Sequence, residues 1–460
     1  MTPAAQAFEK FLPFWRASLP PDIPLAYFDT FVVRMRPTLE AIVGAWFERR
    51  QARRDQALPP DAATRAKRTR QNLEAMRIVA TRHPQDMTAD ERQIVLGYSG
   101  WGGLSLEAVT DQFPPGLVPD DFALAHEYYT PTRVAEAIAD LVCPRLAELA
   151  GYDGIVRAFE PSVGIGRLVR AMGPPRCLVT DPRYKETRWT AVELSEVSAK
   201  MFAAIRPDVE LFSMPLERWM SEHAARYQGT LGLVVANPPY GGRGEYARQD
   251  KHPDYQERAA YAYFMRRCLD LLVPRGLGIF VIPAGFMSGS QNRVLRERVL
   301  LRHHLEVAFR LPSENAAGRD LFPGAGAVVD VLVWRARGGE LRAIDPGDGF
   351  ILEGDYFKEN PTHILGTEHG KDGEPADGKK RRRYTVVGDF TGFPTFTPRP
   401  VCQSCAITNL PTFAVTPVTT VTRDLDDEPG ELDISARQAM DIGRRVDRYL
   451  ALVAAEDPRA

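Results

Sequence analysis

The sequence has no long hydrophobic run, few cysteines and no excess of basic charge. No stretch approaches the roughly 18 uninterrupted apolar residues that a membrane helix needs, so we expect no membrane-spanning segment. Five cysteines in 460 residues cannot form a disulfide framework, and the first residues lack a basic-then-apolar signal pattern. A cytoplasmic protein is therefore expected. Lysine and arginine total 58 against 60 acidic residues, so any contact with nucleic acid must come from a local patch.

Length and hydrophobic patterning predict three regions. Residues 1–120 show mostly helical spacing and are a possible DNA-contacting region, whereas residues 338–460 form an irregular extension with a linker and a terminal helix. That extension is a candidate for target recognition or partner docking. In the central domain, residues 121–337, β-rich runs alternate with helical stretches, which predicts an α/β fold: a mostly parallel seven-stranded sheet with helices on both faces. The predicted strands are residues 155–159, 190–193, 209–212, 231–236, 277–282, 306–311 and 328–334, the last two forming an antiparallel edge.

Two basic segments stand out from this balanced composition. Arginines and a lysine recur between residues 49 and 70, and residues 379–383 read Lys-Lys-Arg-Arg-Arg. Each segment is interpreted either as a solvated surface or as a surface that follows the phosphates of nucleic acid.

The strongest chemical signal is Asn237-Pro238-Pro239-Tyr240, directly after a predicted buried strand. Ligands of open α/β sheets bind at the carboxyl ends of the strands. The two prolines fix the path of the chain there. The side-chain oxygen of Asn237 and the carbonyl of Pro238 can each accept one hydrogen of an NH₂ group while the ring of Tyr240 stacks on a planar substrate. This arrangement predicts a site for an aromatic or amide amine.

A second signal is Phe159-Glu160-Pro161-Ser162-Val163-Gly164-Ile165-Gly166, a strand that runs through a glycine loop into a helix. The loop lacks the third spaced glycine of a dinucleotide fingerprint, which favours a ligand without a pyrophosphate. Glycines allow backbone to approach a cofactor closely. The next clear strand ends in Glu193, where a carboxylate suits the ribose hydroxyls of a nucleoside cofactor or, alternatively, the N-terminus of the following helix.

These segments resemble the S-adenosylmethionine-dependent amino-methyltransferases of DNA. The tetrapeptide matches their catalytic motif, the glycine loop matches their cofactor loop, and Glu127-Tyr128-Tyr129-Thr130-Pro131 matches a segment that closes over the methionine end of the cofactor. The order of the three is that of the gamma group, whose members methylate N6 of adenine. Residues 68–367 are also similar to the methylase portion of helicase–methylase proteins of phages and mobile elements, through Gly100-Trp101-Gly102-Gly103-Leu104 and several later motifs.

The resemblance implies a Rossmann-like methyltransferase fold, S-adenosyl-L-methionine as cofactor, and duplex DNA with a flipped-out adenine as substrate. It also implies a possible separate helicase partner. The catalytic residues it implies are Asn237, Pro238, Pro239 and Tyr240. The cofactor-binding residues it implies are Tyr129, Thr130, Pro131, Glu160, Pro161, Ser162, Gly164, Gly166, Glu193 and Asn237. Tyr240 and Phe286 are the candidate walls for the target base, although Phe286 is equally well a core aromatic. Ser213 is a weaker candidate for contact with the cofactor adenine.

Several alternatives remain open on the sequence alone. The same tetrapeptide suits methylation of RNA adenine, of cytosine N4 or of a protein glutamine amide, and a non-catalytic DNA-binding or antirestriction module would retain the same fold. We expect no metal, because methyl transfer from a sulfonium needs positioning rather than a metal or a nucleophile. Cys402 and Cys405 form a single C-x-x-C without a second pair, so zinc is the less favoured interpretation.

Overall fold

A computed structural model describes residues 64–107, 109–119, 127–173, 179, 181–318, 320–322, 327–338, 341–370 and 384–389. Residues 1–63 of the predicted helical region and the predicted terminal helix lie outside the described residues, as do the basic run at 379–383 and the cysteines at 402 and 405. Among the residues that are described, no helix has the length and apolar character needed to cross a membrane.

The centre of the described chain is one seven-stranded sheet. The strands are β1 (Ile155–Glu160), β2 (Glu186–Glu193), β3 (Glu210–Ser213), β4 (Leu231–Ala236), β5 (Leu272–Pro283), β6 (His303–Arg310) and β7 (Val329–Ala336). Their order is β3-β2-β1-β4-β5-β7-β6, and only the pairs made by β7 are antiparallel. This confirms the predicted α/β fold, a Rossmann-like methyltransferase fold. The predicted antiparallel edge is present, with β7 inserted between β5 and the edge strand β6.

Helices cover both faces of the sheet because consecutive strand residues send their side chains to opposite sides. Leu233 and Val235 of β4 enter one hydrophobic core and Val234 and Ala236 the other, which explains why the whole strand is buried. The helices are α1 (Arg65–Thr81), α2 (Ala89–Leu96), α3 (Thr132–Val142), α4 (Leu146–Leu149), α5 (Arg167–Ala171), α6 (Glu196–Ile205), α7 (Leu216–Tyr227), α8 (Ala260–Leu269), α9 (Arg293–Leu300), α10 (Gly349–Glu353) and α11 (Tyr356–Glu359). A separate two-stranded sheet pairs β8 (Thr367–His369) with β9 (Thr385–Val387).

The largest boundary error is at the start of β5, which the sequence predicts at residue 277. The preceding helix α8 ends at Leu269, and Leu272 already belongs to the strand. Leu269, Leu271 and Leu272 are all buried and apolar, so periodicity carries no sign of the change from helix to strand.

Part of the arginine-dense segment forms the first turns of α1. Arg68 is buried, and its guanidinium donates hydrogen bonds to the carbonyls of Gly100 and Gly102, each at 3.2 Å. The neighbouring Arg65, Lys67 and Arg70 are exposed. The sequence allowed Arg68 to be part of a phosphate-binding surface. The structure shows instead that it is a buried residue that supports a backbone turn.

Candidate active site

A cavity of about 730 Å³ opens at the carboxyl ends of the strands. Glu160 at the end of β1, Glu193 at the end of β2 and Asn237 after β4 all line it. The strand β1 has β2 on one side and β4 on the other, so the order in which successive strands are added to the sheet reverses there. Such a switch point is where α/β sheets bind ligands, and a volume in this range is ordinary for a small-molecule site.

Hydrogen bonds to the loop after β1 and to β5 hold the Asn-Pro-Pro-Tyr turn in place. Ser162 donates a hydrogen bond from Oγ to the backbone carbonyl of Asn237 at 3.3 Å, which ties the glycine loop to the turn. The hydroxyl of Tyr240 donates to Oδ1 of Asn237 at 2.9 Å and also lies 3.4 Å from the carbonyl of Val281. Burial, reinforced by the negative charge of Asp330, raises the pKa of Tyr240, so its hydroxyl remains protonated. The asparagine oxygen is thus presented in a fixed direction.

The glycine loop packs closely against two aromatic side chains, Tyr129 and Phe202. Gly164 has φ +55°, and a Cβ built there would lie 2.0 Å from the ring of Tyr129. Gly166 has φ +80°, and its Cβ would lie 2.2 Å from the ring of Phe202. Gly164 lines the cavity and Gly166 does not. The glycines are therefore needed for the packing of Tyr129 and Phe202, and Gly166 is a packing residue rather than a wall of the site.

Three carboxyl groups that line the cavity form no ion pair with any described residue. The Oε2 atom of Glu193 accepts a hydrogen bond from the Gly164 amide at 2.6 Å, and its Oε1 accepts one from the Ser195 amide at 2.8 Å. Burial nevertheless raises the pKa of Glu193 to about 7. Burial also raises the pKa of Glu127, and that of Glu160 well above its usual range. Within the described ranges none of the three forms an ion pair, and Oε2 of Glu160 is buried without a hydrogen-bond partner. A cationic ligand would compensate this arrangement.

The segment that begins at Glu127 is fixed by the Gly-Trp-Gly-Gly turn. The Gly102 amide donates to the backbone carbonyl of Glu127 at 3.1 Å, and the Trp101 amide and the Tyr98 hydroxyl donate to its carboxylate at 3.2 and 2.9 Å. A Cβ on Gly102 would lie 2.6 Å from the ring of Tyr128, so only glycine allows this approach.

Helix α1 supports this turn from behind. Asn72 donates from Nδ2 to the Gly100 carbonyl at 2.6 Å, and its Oδ1 accepts a hydrogen bond from the Ser99 amide at 2.9 Å. Arg68 binds the carbonyls of the same turn. The sequence pattern assigned no site role to this turn. Its clustered glycines are the signal that could have indicated one.

Most predicted site residues meet in the cavity, but four do not line it. Lining residues are Tyr129, Thr130, Glu160, Pro161, Ser162, Gly164, Glu193, Asn237, Pro238, Pro239 and Tyr240. Pro131 precedes the first residue of α3 as its N-cap, Gly166 packs on Phe202, and Ser213 is exposed while Met214 lines the cavity in its place. The prediction that Phe286 is a wall of the target site is wrong. Its ring is fully buried in the core, 6.4 Å from the ring of Trp334.

Sequence reasoning missed many lining residues, and three of them matter for the chemistry of the site. Phe264 of α8, Glu217 of α7 and Arg243 after the tetrapeptide also line the cavity. Glu217 and Phe264 lie outside the motifs, and Arg243 follows Tyr240 by three positions without belonging to the tetrapeptide. Two charged residues that meet only in the folded state leave no local pattern.

Part of the chain matches a known family, and a longer part matches a phage protein. Residues 198–316 match the family model described as Eco57I restriction-modification methylase. This segment of the central domain is therefore similar to restriction-modification methylases. Over 290 residues the chain is 29% identical to the protein "Defense against restriction protein B" of Escherichia phage P1. The match covers 62% of this chain and 11% of the length of the phage protein.

Solved structures with a similar fold include a modification subunit of a putative type I restriction enzyme from Vibrio vulnificus, with 16% identity and a TM-score of 0.37 over 46% of this chain and 45% of that one. A putative class I S-adenosylmethionine-dependent methyltransferase from Listeria monocytogenes has 12% identity and a TM-score of 0.38, over 57% of this chain and 79% of that one. Both scores are below 0.5, and the fold assignment rests on the sheet topology.

Proposed function

We propose that this protein is a DNA methyltransferase that transfers a methyl group from S-adenosylmethionine to N6 of adenine. The observation that carries the proposal is the placement of the Asn-Pro-Pro-Tyr turn in the same cavity as three carboxyl groups that lack a cation. One end of the cavity suits a planar amine and the rest suits a cationic nucleoside.

The cavity fits the proposed cofactor on three counts. Its carboxyl groups suit the sulfonium and the α-ammonium charges, and the unpartnered Oε2 of Glu160 is available for a hydrogen-bond donor. Glu193 retains lone pairs for the ribose hydroxyls, since each of its oxygens accepts a single backbone hydrogen bond in the structure. Tyr129, Thr130 and Gly164 would hold the methionine end. When bound, the cofactor supplies a methyl group that is already activated for transfer.

The residues of the turn position the acceptor amine. The Oδ1 atom of Asn237 and the carbonyl of Pro238 each accept one amine hydrogen, which directs the nitrogen lone pair towards the methyl group, and the ring of Tyr240 supports the base. Positioning of this kind accounts for a large part of the rate of a two-substrate reaction. An adenine inside a duplex cannot reach the turn, so the proposal includes a flipped base.

DNA is the proposed substrate because residues 198–316 match restriction-modification methylases and because the similar phage protein bears a name concerned with restriction. A separate helicase partner stays a prediction. The test is transfer of a radioactive methyl group from S-adenosylmethionine to duplex DNA, single-stranded RNA and a glutamine-containing peptide, followed by nucleoside analysis. N6-methyladenine in the DNA is the expected product. Label only in RNA, in cytosine or in the peptide would contradict the proposal.

Cofactor binding is expected to weaken as the pH falls through 7. Burial holds the pKa of Glu193 near 7, and the carboxylate form accepts hydrogen bonds from ribose hydroxyls better than the acid does. With a single proton involved, affinity for S-adenosylmethionine should decrease about tenfold between pH 8 and pH 6. Calorimetric titration measures this, and Glu193→Gln should bind weakly with little dependence on pH. If the affinity of Glu193→Gln falls with pH as steeply as that of the unmodified protein, the group that titrates is Glu127 or Glu160.

Substitutions of Phe286 are expected to change stability and leave activity unaffected. Because the ring is fully buried, Phe286→Ala should lower the free energy of unfolding by about 3–5 kcal/mol. Phe286→Leu retains most of the volume and should keep full methyl transfer at a temperature where it is folded. Chemical denaturation and the methyl-transfer assay separate the two effects, and a stable but inactive leucine variant would restore Phe286 to the target site.

A further inference from the structure

A buried ion pair forms part of the cavity wall. Arg243 donates a hydrogen bond from Nε to Oε1 of Glu217 at 2.9 Å, and each residue is only 4% exposed. Both residues line the cavity. Neither belongs to a motif that the proposed reaction uses.

One nitrogen of the guanidinium has no partner among the residues that the structure describes. The Nη1 atom of Arg243 donates to the carbonyls of Tyr255 and Glu257 at 3.2 and 3.3 Å, and Cζ lies 3.6 Å from the centre of the Tyr263 ring. These contacts fix the plane of the group. In contrast, Nη2 is buried and finds no acceptor within the described ranges. Buried donors are nearly always satisfied in native proteins, so the free nitrogen indicates an acceptor that arrives with a ligand.

The pair lies where the base of a nucleoside cofactor is expected, an argument that rests on the proposed function. Glu193 at the end of β2 is the proposed ribose contact, and β3 is the next strand towards the sheet edge. The chain that leaves β3 supplies Met214 and Glu217 to the cavity, and Phe264 adds an aromatic surface. A base attached to that ribose would therefore meet this wall.

We propose that Glu217 and Arg243 recognise the adenine of the cofactor by its hydrogen-bonding edge. The carboxylate of Glu217 accepts a hydrogen bond from the N6 amine, and Nη2 of Arg243 donates to N7, the ring nitrogen on the same edge of the base. Adenine presents an amine beside an acceptor nitrogen, which matches an acceptor beside a donor. Hypoxanthine carries an oxygen at the same position, and that oxygen would face the carboxylate.

The test compares two thioethers, S-adenosylhomocysteine and S-inosylhomocysteine, by calorimetric titration in the absence of DNA. The unmodified protein should bind the adenosyl compound about tenfold to a hundredfold more tightly, since a bidentate contact to a base edge discriminates to this degree. In Glu217→Gln the amide can donate to the hypoxanthine oxygen, so the preference should fall towards unity.

Glu306→Gln is the matched control, because Glu306 is also buried, pairs with Arg145 and Arg335, and does not line the cavity. This variant should keep the preference of the unmodified protein. Equal binding of the two thioethers by the unmodified protein, which needs no variant, would overturn the inference. An equal loss of preference in both variants would also overturn it. Failure to bind either compound would instead contradict the proposed cofactor.

Discussion

Replacement of Asn237 by alanine is expected to lower the rate of methyl transfer by about a hundredfold to a thousandfold, the usual effect of removing one hydrogen-bonding group aimed at the reacting atom. In the proposed mechanism the side-chain oxygen accepts an amine hydrogen, and no other side chain of the turn can replace it. The backbone path is fixed by Pro238 and Pro239, so the variant should fold normally. Single-turnover methyl transfer to duplex DNA measures the rate, and calorimetry with S-adenosylmethionine checks that the cofactor site is intact.

Tyr240→Phe is the control for this experiment. It removes the hydroxyl that donates to Oδ1 of Asn237 at 2.9 Å and keeps the ring. If the ring supports the base and the hydroxyl only orients the asparagine, the phenylalanine variant should retain most of the activity. Tyr240→Ala should lose it. Full activity of Asn237→Ala would exclude the proposed mechanism, and an inactive phenylalanine variant would show that the hydroxyl has a role in the reaction.

The sheet could be predicted because its strands are buried on both faces. The strand β4 reads as a continuous apolar run, and its predicted and observed bounds are the same, 231–236. The site follows from the sheet, since residues directly after parallel strands meet at one edge. Glu193 and Asn237 therefore reached the same cavity from motifs 44 positions apart in the sequence.

The remaining parts of the site depend on contacts that have no local pattern. Phe286 follows a strand end as a site residue would, yet its side chain turns into the core against Trp334. Arg68 lies in a run of basic residues, but only the fold shows that it supports a glycine turn from within. Composition and spacing predict which face of a helix or strand is buried. They do not predict which side chain of a distant loop packs against that face.

Replacement of Gly164 by alanine is expected to disrupt both stability and cofactor binding. Its φ of +55° disfavours any side chain, and the new methyl group would lie 2.0 Å from the Tyr129 ring, far inside contact distance. Tyr129 cannot retreat freely, because its hydroxyl hydrogen-bonds Ser198 at 2.6 Å. The free energy of unfolding should fall by about 3 kcal/mol, from the strained backbone and the overpacked ring together. Affinity for S-adenosylmethionine should fall at least about tenfold, as the loop and Tyr129 both line the cavity.

Gly229→Ala separates the two causes. Gly229 has a similar φ of +64°, but a Cβ there meets no atom within 4 Å. Its substitution should lower stability by about 1 kcal/mol from the backbone alone and leave cofactor affinity unchanged. Urea denaturation and calorimetry on the two variants give both quantities. Equal losses of stability would mean that Tyr129 does not pack on the glycine loop, and normal affinity in a folded Gly164→Ala protein would mean that this loop does not form the cofactor site.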